Sequence, residues 1–152
     1  MVVGGKTLKF ELVSEDDQCD AKSGVNVAQK LVDGGVKFVM GPYCSGVTIP
    51  ASRIYDAGGA LVSTVGTNPK VTQNGYKNLY RIIASDTQIG SNMATYAANV
   101  LKVKKVAVVD DRTAFGQGVA EEFTKEAKKL GLTVVGQEFT TDKSVDFLSI
   151  LT

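Results

Sequence analysis

Short stretches with the composition of β-strands alternate with longer amphipathic stretches along the chain, and this alternation constrains the fold more than any other feature of the sequence. Residues 36–40 form a short, largely apolar run, which is typical of a strand buried on both faces of a sheet. Residues 20–33 instead repeat apolar side chains at helical spacing, through Val25, Ala28 and Leu31. Strands that alternate with helices of this length build βαβ units with right-handed crossovers. The sequence therefore predicts the α/β class, with Rossmann-like parallel sheets.

The predicted helices begin at small polar residues and end at glycines, as helices commonly do. The stretch at residues 64–75 is rich in turn-forming residues and is predicted to be a loop. One sheet unit ends and another starts at residues 81–86, which predicts a crossover between two lobes. In chain order we predict strand 8–13, a helix capped by Asp20, strand 36–40, a helix from Ser45, strands 60–63 and 79–83, a helix capped by Asp86, strand 103–109, helix 116–130, strand 132–139 and a last helix from Ser144 or Asp146.

The composition excludes several classes of function. The chain has 152 residues, with no histidine and 2 cysteines. A Ser-His-Asp or Cys-His triad and a four-cysteine zinc site are therefore impossible within it. The loop at residues 41–46 lacks the lysine of a phosphate-binding loop, and no glycine-rich dinucleotide fingerprint occurs, so we predict neither an enzyme nor a cofactor. The net charge is +1 with both signs interspersed, so no nucleic-acid partner is predicted.

The sequence gives limited information on location. No apolar stretch approaches the roughly 20 residues that span a bilayer. The first residues also lack the basic segment and apolar core of a signal peptide. From the residues alone, we expect either a cytosolic protein or one whose targeting segment lies outside this sequence.

Two loops at the carboxyl ends of neighbouring predicted strands offer hydrogen-bond donors to a ligand, and ligands of open α/β sheets bind beyond these strand ends. The first loop enters a helix at Ser45, where free N–H groups and the helix dipole attract an anion. The second loop contains Gly66 and Thr67. Together they suit the carboxylate of a small zwitterion, although each loop taken alone is equally an ordinary turn, with Ser45 as a helix N-cap.

A further loop follows the first strand of the second predicted sheet and contains Asp110, Asp111 and Phe115. Two adjacent carboxylates could bind a divalent metal, but Asp-Asp at a strand end commonly caps the next helix. We therefore predict no metal site. Phe115 is interpreted as either a lid over a ligand or a packing residue.

The two cysteines, Cys19 and Cys44, are 25 positions apart and lie in loops at the same predicted sheet edge. This placement allows a disulfide. Two free thiols are the alternative, because cytosolic proteins keep their cysteines reduced.

Several motifs resemble the periplasmic branched-chain amino-acid binding proteins, the type I solute-binding subunits of ABC importers. The likeness runs in order, at the family's spacing, over nearly the whole chain. The motifs are Asp16-Asp17-Gln18-Cys19-Asp20, Val39-Met40-Gly41-Pro42-Tyr43-Cys44-Ser45, Pro50-Ala51-Ser52-Arg53-Ile54-Tyr55, Gly66-Thr67-Asn68-Pro69 and Phe115-Gly116-Gln117-Gly118-Val119-Ala120.

The resemblance implies a fold of two Rossmann-like lobes that close on a ligand about a hinge. In the family the first lobe holds the ligand's carboxylate and ammonium groups, and an aromatic residue of the second lobe covers the ligand. The matching positions here are Ser45, Gly66 and Thr67 in the first lobe and Phe115 in the second. The resemblance also implies a disulfide between Cys19 and Cys44. The implied function is binding of a small amino acid, branched-chain or similar, in the periplasm for delivery to the membrane subunits of an ABC importer.

The chain departs from the family in its extent and in one side chain. The family has a strand and a helix before the part that matches this chain, and its second lobe continues further. We expect residues 1–84 to form most of lobe one and residues 85–152 the start of lobe two, in a fragment that binds ligand weakly or not at all and forms a homo-oligomer. Phe115 lacks the hydroxyl of the family's usual tyrosine. The alternative function is a ligand-sensing domain of a receptor or regulator, and an enzyme on a Rossmann-like sheet is less favoured.

Overall fold

The computed structural model describes residues 2–141 and 143–151. Helices and strands alternate through most of this range, as the sequence predicts. None of the helices in the described ranges is both long and apolar enough to cross a membrane. The elements are β1 (Val2–Val3), β2 (Lys6–Thr7), α1 (Ala21–Asp33), β3 (Phe38–Met40), α2 (Ser45–Ala57), β4 (Leu61–Thr64), α3 (Lys70–Gln73), β5 (Leu79–Arg81), α4 (Asp86–Asn99), β6 (Lys105–Asp110), α5 (Ala114–Lys129), β7 (Thr133–Phe139) and α6 (Leu148–Leu151).

The first sheet has three parallel strands in the order β3-β4-β5. Helices α1 and α2 pack closely against each other, since a Cβ atom on Gly24 would lie only 2.1 Å from Cγ1 of Val47. Apolar side chains of the sheet and of these helices form one buried core. Its members are Ala28, Leu31, Ala51, Tyr55, Ala60, Val62, Val71 and Leu79.

The second sheet is the parallel pair β6-β7, with a register shift between Val106 and Ala107. Helices α4 and α5 pack against each other beside it. They approach so closely that a Cβ atom on Gly90 would lie 2.6 Å from the backbone nitrogen of Phe123. A second core contains Ala94, Ala97, Ala127 and Leu132. Two parallel sheets joined by helices confirm the predicted α/β class.

The N-cap agrees with the sequence prediction for α1 and differs for α2 and α4. Helix α5 begins two residues before the predicted start at 116, and α6 begins at Leu148, after the predicted Ser144 or Asp146. Asp20 is the N-cap of α1, and its side chain accepts a hydrogen bond from the backbone N–H of Ser23. Helix α2 has Cys44 as its N-cap, so Ser45 is its first helical residue and not the predicted cap. Helix α4 is capped by Ser85 through a capping box, so Asp86 is likewise one position inside the helix. This shift leaves the side chains of Ser45 and Asp86 available for other contacts.

The predicted strand at residues 8–13 is wrong. No strand is assigned there, and the side chain of Leu12 is 91% exposed. A segment that alternates apolar and polar residues forms a strand only when its backbone N–H and C=O groups pair with the edge of a neighbouring strand. The nearby strands β1 and β2 instead form a short antiparallel pair, which turns at Gly4 and Gly5.

The predicted burial of residues 36–40 on both faces is also wrong. Strand β3 lies at the edge of its sheet, and Phe38 and Met40 are 73% and 94% exposed. The helices α1 and α2 supply the core partners of the sheet. Residues 36–40 therefore include a strand whose apolar side chains on one face of the sheet are exposed. The predicted loop at residues 64–75 contains a short helix, α3.

Candidate functional site

A cleft of about 430 Å³ lies between the loops that follow β3, β4 and β6. This volume falls within the range of about 300–1,000 Å³ that is usual for small-molecule sites. The lining side chains are mostly apolar or neutral polar. They belong to Cys19, Ala21, Tyr43, Cys44, Ser45, Gly46, Val65, Thr67, Ile83, Asp111, Thr113, Ala114 and Phe115.

The first turns of helices α2 and α5 meet at this cleft. Ser45 and Gly46 line it from α2, and Ala114 and Phe115 line it from α5. A Cβ atom on Gly46 would lie 3.8 Å from the Cβ atom of Ala114. The first N–H groups of a helix lack intrahelical acceptors, and the helix dipole places partial positive charge there. Two such helix starts make the cleft favourable for a negatively charged group such as a carboxylate.

Ser45 is buried at the floor of the cleft. Its Oγ accepts a hydrogen bond from the backbone N–H of Asn68 over 3.1 Å. A hydroxyl has one hydrogen to donate and two lone pairs to accept with. Because the Asn68 bond uses a lone pair, the hydroxyl hydrogen of Ser45 is available to a ligand carboxylate.

The structure separates the roles of Thr67 and Gly66. Thr67 lines the cleft, and its backbone carbonyl accepts a hydrogen bond from the N–H of Asp86 over 2.9 Å. Gly66 is not among the lining residues, and its N–H donates to Oγ1 of Thr64 over 2.9 Å. A Cβ atom on Gly66 would lie 2.9 Å from Oγ1 of Thr48. Gly66 therefore allows close packing beneath the cleft.

Two fully buried threonines connect the loops on which the cleft is built. Oγ1 of Thr64 donates to the carbonyl of Pro42 over 2.7 Å, and it lies 3.2 Å from Oγ1 of Thr48. The Gly41–Pro42 peptide bond is cis, and Gly41 has φ 129°, in the region that favours glycine. Sequence reasoning missed both threonines. The position of Thr64 directly after the predicted strand 60–63 is the signal that could have identified one of them.

Phe115 lies in the cleft, with 48% of its side chain exposed. The helix that carries it is capped by Thr113, whose Oγ1 accepts from the N–H of Gly116 over 2.9 Å. Oδ1 of Asp111 accepts in turn from the N–H and the hydroxyl of Thr113, over 2.9 and 2.7 Å. The carboxylate of Asp111 thus fixes the start of α5. Among residues 2–141 and 143–151, no three histidine, cysteine, aspartate or glutamate side chains cluster as metal ligands would.

Cys19 and Cys44 form a disulfide, with their Cα atoms 5.6 Å apart. This distance lies inside the usual range of about 4.4–6.8 Å. Cys19 and Gln18 both have positive φ angles, which are uncommon for non-glycine residues. Carboxylates stabilise this turn, since Asp16 accepts from the N–H of Gln18 and Asp17 from that of Cys19, each over 2.8 Å. The predicted disulfide is confirmed, and it links the starts of α1 and α2 beside the cleft.

Asn68 joins the loop after β4 to helix α5, whereas its neighbours in the sequence indicate only a turn. Its side-chain Nδ2 donates to the carbonyl of Ala114 over 2.7 Å. The backbone carbonyl of Asn68 accepts a long hydrogen bond of 3.4 Å from Nη1 of Arg81. Together with the bond to Ser45, these contacts make Asn68 the residue that ties both sides of the cleft together.

Asp86 lies behind the cleft and is fully buried. Neither of its carboxyl oxygens has a hydrogen-bond partner. Burial raises the pKa of Asp86 above its ordinary value. The Thr67 hydroxyl and the charge of Arg81 lower this pKa, and the charge of Glu122 raises it further. The Thr67 hydroxyl does not reach good hydrogen-bond geometry with the carboxyl group.

Comparison with known proteins places these features in a family. The sequence is 42% identical over 146 residues to an amino acid binding protein of Pseudomonas aeruginosa, in an alignment that covers 95% of this chain and 39% of the relative. It is 39% identical over 144 residues to Leu/Ile/Val-binding protein homolog 1 of Brucella melitensis, which covers 94% of this chain and 39% of the relative. The chain therefore spans well under half the length of these curated relatives.

A solved structure shows the same fold. It is the ABC transporter substrate-binding protein of Desulfitobacterium hafniense in complex with Leu, with a TM-score of 0.76 and 30% identity over 98% of this chain and 44% of that one. The model of the periplasmic binding protein family matches residues 2–152. The chain therefore belongs to the periplasmic binding protein family.

Proposed function

We propose that the protein binds a small amino acid, of the branched-chain type or similar, and delivers it to an ABC importer without chemical change. The observation that carries this proposal is the cleft between the starts of α2 and α5. Its two helix starts favour a carboxylate, and its lining is largely apolar. Both relatives described above are named as amino-acid binding proteins.

In this proposal the ligand's polar groups contact the loops after β3 and β4. Ser45 donates its hydroxyl hydrogen to the carboxylate, and Thr67 donates from the neighbouring loop. Gly66 accepts from the ammonium group through its carbonyl oxygen. The aliphatic side chain then lies against Val65, with Phe115 covering it from α5. The apolar lining supports an aliphatic over a charged ligand, because burying an unpaired charge is costly.

The two sheets support a division into two lobes. Residues 1–84 contain the strands β3 to β5 and are assigned to most of lobe one, and residues 85–152 contain β6 and β7 and are assigned to the start of lobe two. Closure of the lobes around the ligand would bring Phe115 against it. The proposal includes no catalysis, since the chain has no histidine and the carboxylate that lines the cleft, Asp111, accepts hydrogen bonds from Thr113, the N-cap of α5.

The proposed location is the periplasm, and the proposed partners are the membrane subunits of an ABC importer. The disulfide between Cys19 and Cys44 supports an oxidising compartment, since such bonds persist in the periplasm and are rare in the cytosol. Membership of the periplasmic binding protein family supports the same location.

We also propose that this chain associates with further copies of itself. The open face of the first sheet exposes the apolar side chains of Phe38, Met40 and Leu61 on β3 and β4. Strand β3 also lies at the edge of its sheet. Apolar faces and open strand edges both favour pairing with another chain.

Titration of the isotope-labelled chain with L-leucine, followed by NMR, tests the proposed binding. We expect the amide signals of Ser45, Thr67 and Phe115 to shift together, with weak affinity because much of the relatives' length is absent. L-glutamate serves as the control, since its charged side chain does not suit the apolar lining. Leucine shifts that avoid the cleft, or equal shifts with glutamate, would contradict the proposal.

A further inference from the structure

A buried carboxyl group without hydrogen bonds lies where the loop after β4 meets helix α5. It belongs to Asp86, the first residue of α4, whose side chain has 0% exposure. Buried carboxylates normally accept hydrogen bonds or pair with a cation, since an isolated buried charge is strongly unfavourable. Neither oxygen of Asp86 has such a partner.

The carboxyl group occupies a notch above Gly118 of α5. A Cβ atom on Gly118 would lie 2.2 Å from Oδ2 of Asp86 and 2.8 Å from Nδ2 of Asn68. Both side chains therefore reach the same spot on α5, and only a glycine leaves room for them. The carboxyl group of Asp86 and the amide of Asn68 are neighbours in this notch.

Hydrogen bonds connect the same two residues to both sides of the junction. The N–H of Asp86 donates to the carbonyl of Thr67 over 2.9 Å, which holds the loop after β4 against α4. Nδ2 of Asn68 donates to the carbonyl of Ala114 over 2.7 Å, which holds the same loop against α5. The notch thus joins three elements whose separation would open the cleft.

The charged groups that face Asp86 do not neutralise it. Arg81, on β5, contributes an opposite charge, but its Nη1 donates to the backbone carbonyl of Asn68 over 3.4 Å. Glu122, on α5, adds a like charge. The junction is therefore well suited to a neutral carboxyl group and poorly suited to an ionised one.

We propose that Asp86 and Asn68 form a proton-operated latch, which holds the loop after β4 against α5 while Asp86 is neutral and loosens when Asp86 ionises. This proposal rests on the geometry of the junction and does not depend on the ligand. The carboxyl group of Asp86 ionises more readily when the loop after β4 has separated from α5 than when the two are in contact. Closure is therefore strongest at acid pH and weakens as the pH rises from the ordinary pKa of an aspartate through the raised pKa of Asp86.

Amide hydrogen exchange of this chain, followed residue by residue by NMR, measures the latch. The reporters are the amides of Asp86 and Asn68, which donate to Thr67 and Ser45. Between about pH 3 and pH 8, we expect their protection factors in the wild-type chain to fall as the pH rises. In Asp86→Asn the neutral side chain persists, so this fall should disappear.

Two variants test the other members of the latch. Asn68→Leu retains side-chain bulk but removes the bond to Ala114 and the bond accepted from the N–H of Lys70. Loss of these hydrogen bonds should lower the protection of Asp86 by at least about three- to tenfold without abolishing its pH dependence. Gly118→Ala places a methyl group in the notch and should lower the protection at every pH. Asp56→Asn, at an exposed aspartate of α2, is the control and should behave as the wild type.

A pH dependence that is identical in the wild-type chain and in Asp86→Asn would overturn the proposal. If Asp86→Asn fails to fold, the carboxyl carbon of Asp86 is titrated by NMR in the wild-type chain instead. A titration of that carbon at or below the ordinary pKa of an aspartate would also overturn the proposal, and a raised one supports it. Unchanged protection in Asn68→Leu would remove Asn68 from the latch and would refute the proposal in its stated form.

Discussion

Oγ1 of Thr48 and Oγ1 of Thr64 lie 3.2 Å apart in a fully buried contact that joins helix α2 to the end of strand β4. The hydroxyl of Thr64 donates to the carbonyl of Pro42 over 2.7 Å, and the hydroxyl of Thr48 lies 3.0 Å from the carbonyl of Cys44 and 3.4 Å from that of Pro42. The loops that carry Ser45 and Thr67 therefore rest on one hydroxyl network. Their relative position depends on buried hydrogen bonds as well as on the strands that precede them.

Replacement of Thr64 by valine should destabilise the protein by about 1–3 kcal/mol. The valine has nearly the same shape, but it leaves the carbonyl of Pro42 and the N–H of Gly66 without the hydroxyl that they share. Urea unfolding of Thr64→Val measures the loss. Thr72→Val, at an exposed residue of α3, is the matched control and should change the free energy of unfolding by less than about 0.5 kcal/mol. Equal effects of the two substitutions would show that the network has no special importance.

Local signals in the sequence predicted much of the fold. The parallel pairing of β3 with β4 follows from two strand-length runs that are separated by an amphipathic helix, and the cap of α1 follows from Asp20 alone. These features depend on neighbours in the chain, which the sequence displays directly. Ser45 and Thr67 could be placed at one cleft for a similar reason, since parallel strands present their carboxyl ends at one edge. Phe115 follows a strand of the second sheet, and only the resemblance to the family assigned it to the same site.

The contacts that depend on distant segments could not be predicted. The bond from Asn68 to Ala114 spans 46 positions, and an Asn-Pro pair in isolation indicates only a turn. The unpartnered carboxyl group of Asp86 depends on the glycine at position 118 in another helix. The exposure of Met40 was missed because an apolar run does not tell which faces of its strand find partners.

Loss of the disulfide between Cys19 and Cys44 should lower the free energy of unfolding by about 3 kcal/mol. In the chain-entropy account, the bond restricts the unfolded chain by closing a loop across the sequence separation of 25. Urea unfolding with and without a reducing agent measures the effect in the wild-type chain. The double variant Cys19→Ser, Cys44→Ser should resemble the reduced protein and should not respond to the reductant. If the reductant also destabilised the double variant, the effect would come from the reductant itself and not from loss of the disulfide.

Substitution of Ser45 by alanine should weaken leucine binding about ten- to a hundredfold. The variant removes one hydrogen bond to a charged carboxylate, which is worth about 1.5–3 kcal/mol. The NMR titration described above gives the change in affinity, and a loss of all detectable shifts also meets the expectation. Ser91→Ala removes the hydroxyl of a half-buried residue on α4 that does not line the cleft, and it should leave the affinity unchanged. Wild-type affinity in Ser45→Ala would exclude this residue from the ligand site.

Substitution of Met40 by lysine should weaken self-association of the chain. Met40 is almost fully exposed on the open face of the first sheet, next to Phe38 on the same strand. Burying one large apolar side chain contributes about 1.5–3 kcal/mol, so its replacement by a charge should raise the Kd of the assembly at least about tenfold. Light scattering over a range of protein concentrations measures the mass of the wild-type chain and of Met40→Lys. Val145→Lys, at an equally exposed apolar residue outside this sheet, is the control and should retain the wild-type mass. A wild-type chain that stays monomeric at all concentrations would refute the proposed association, and equal dissociation of both variants would place the contact elsewhere.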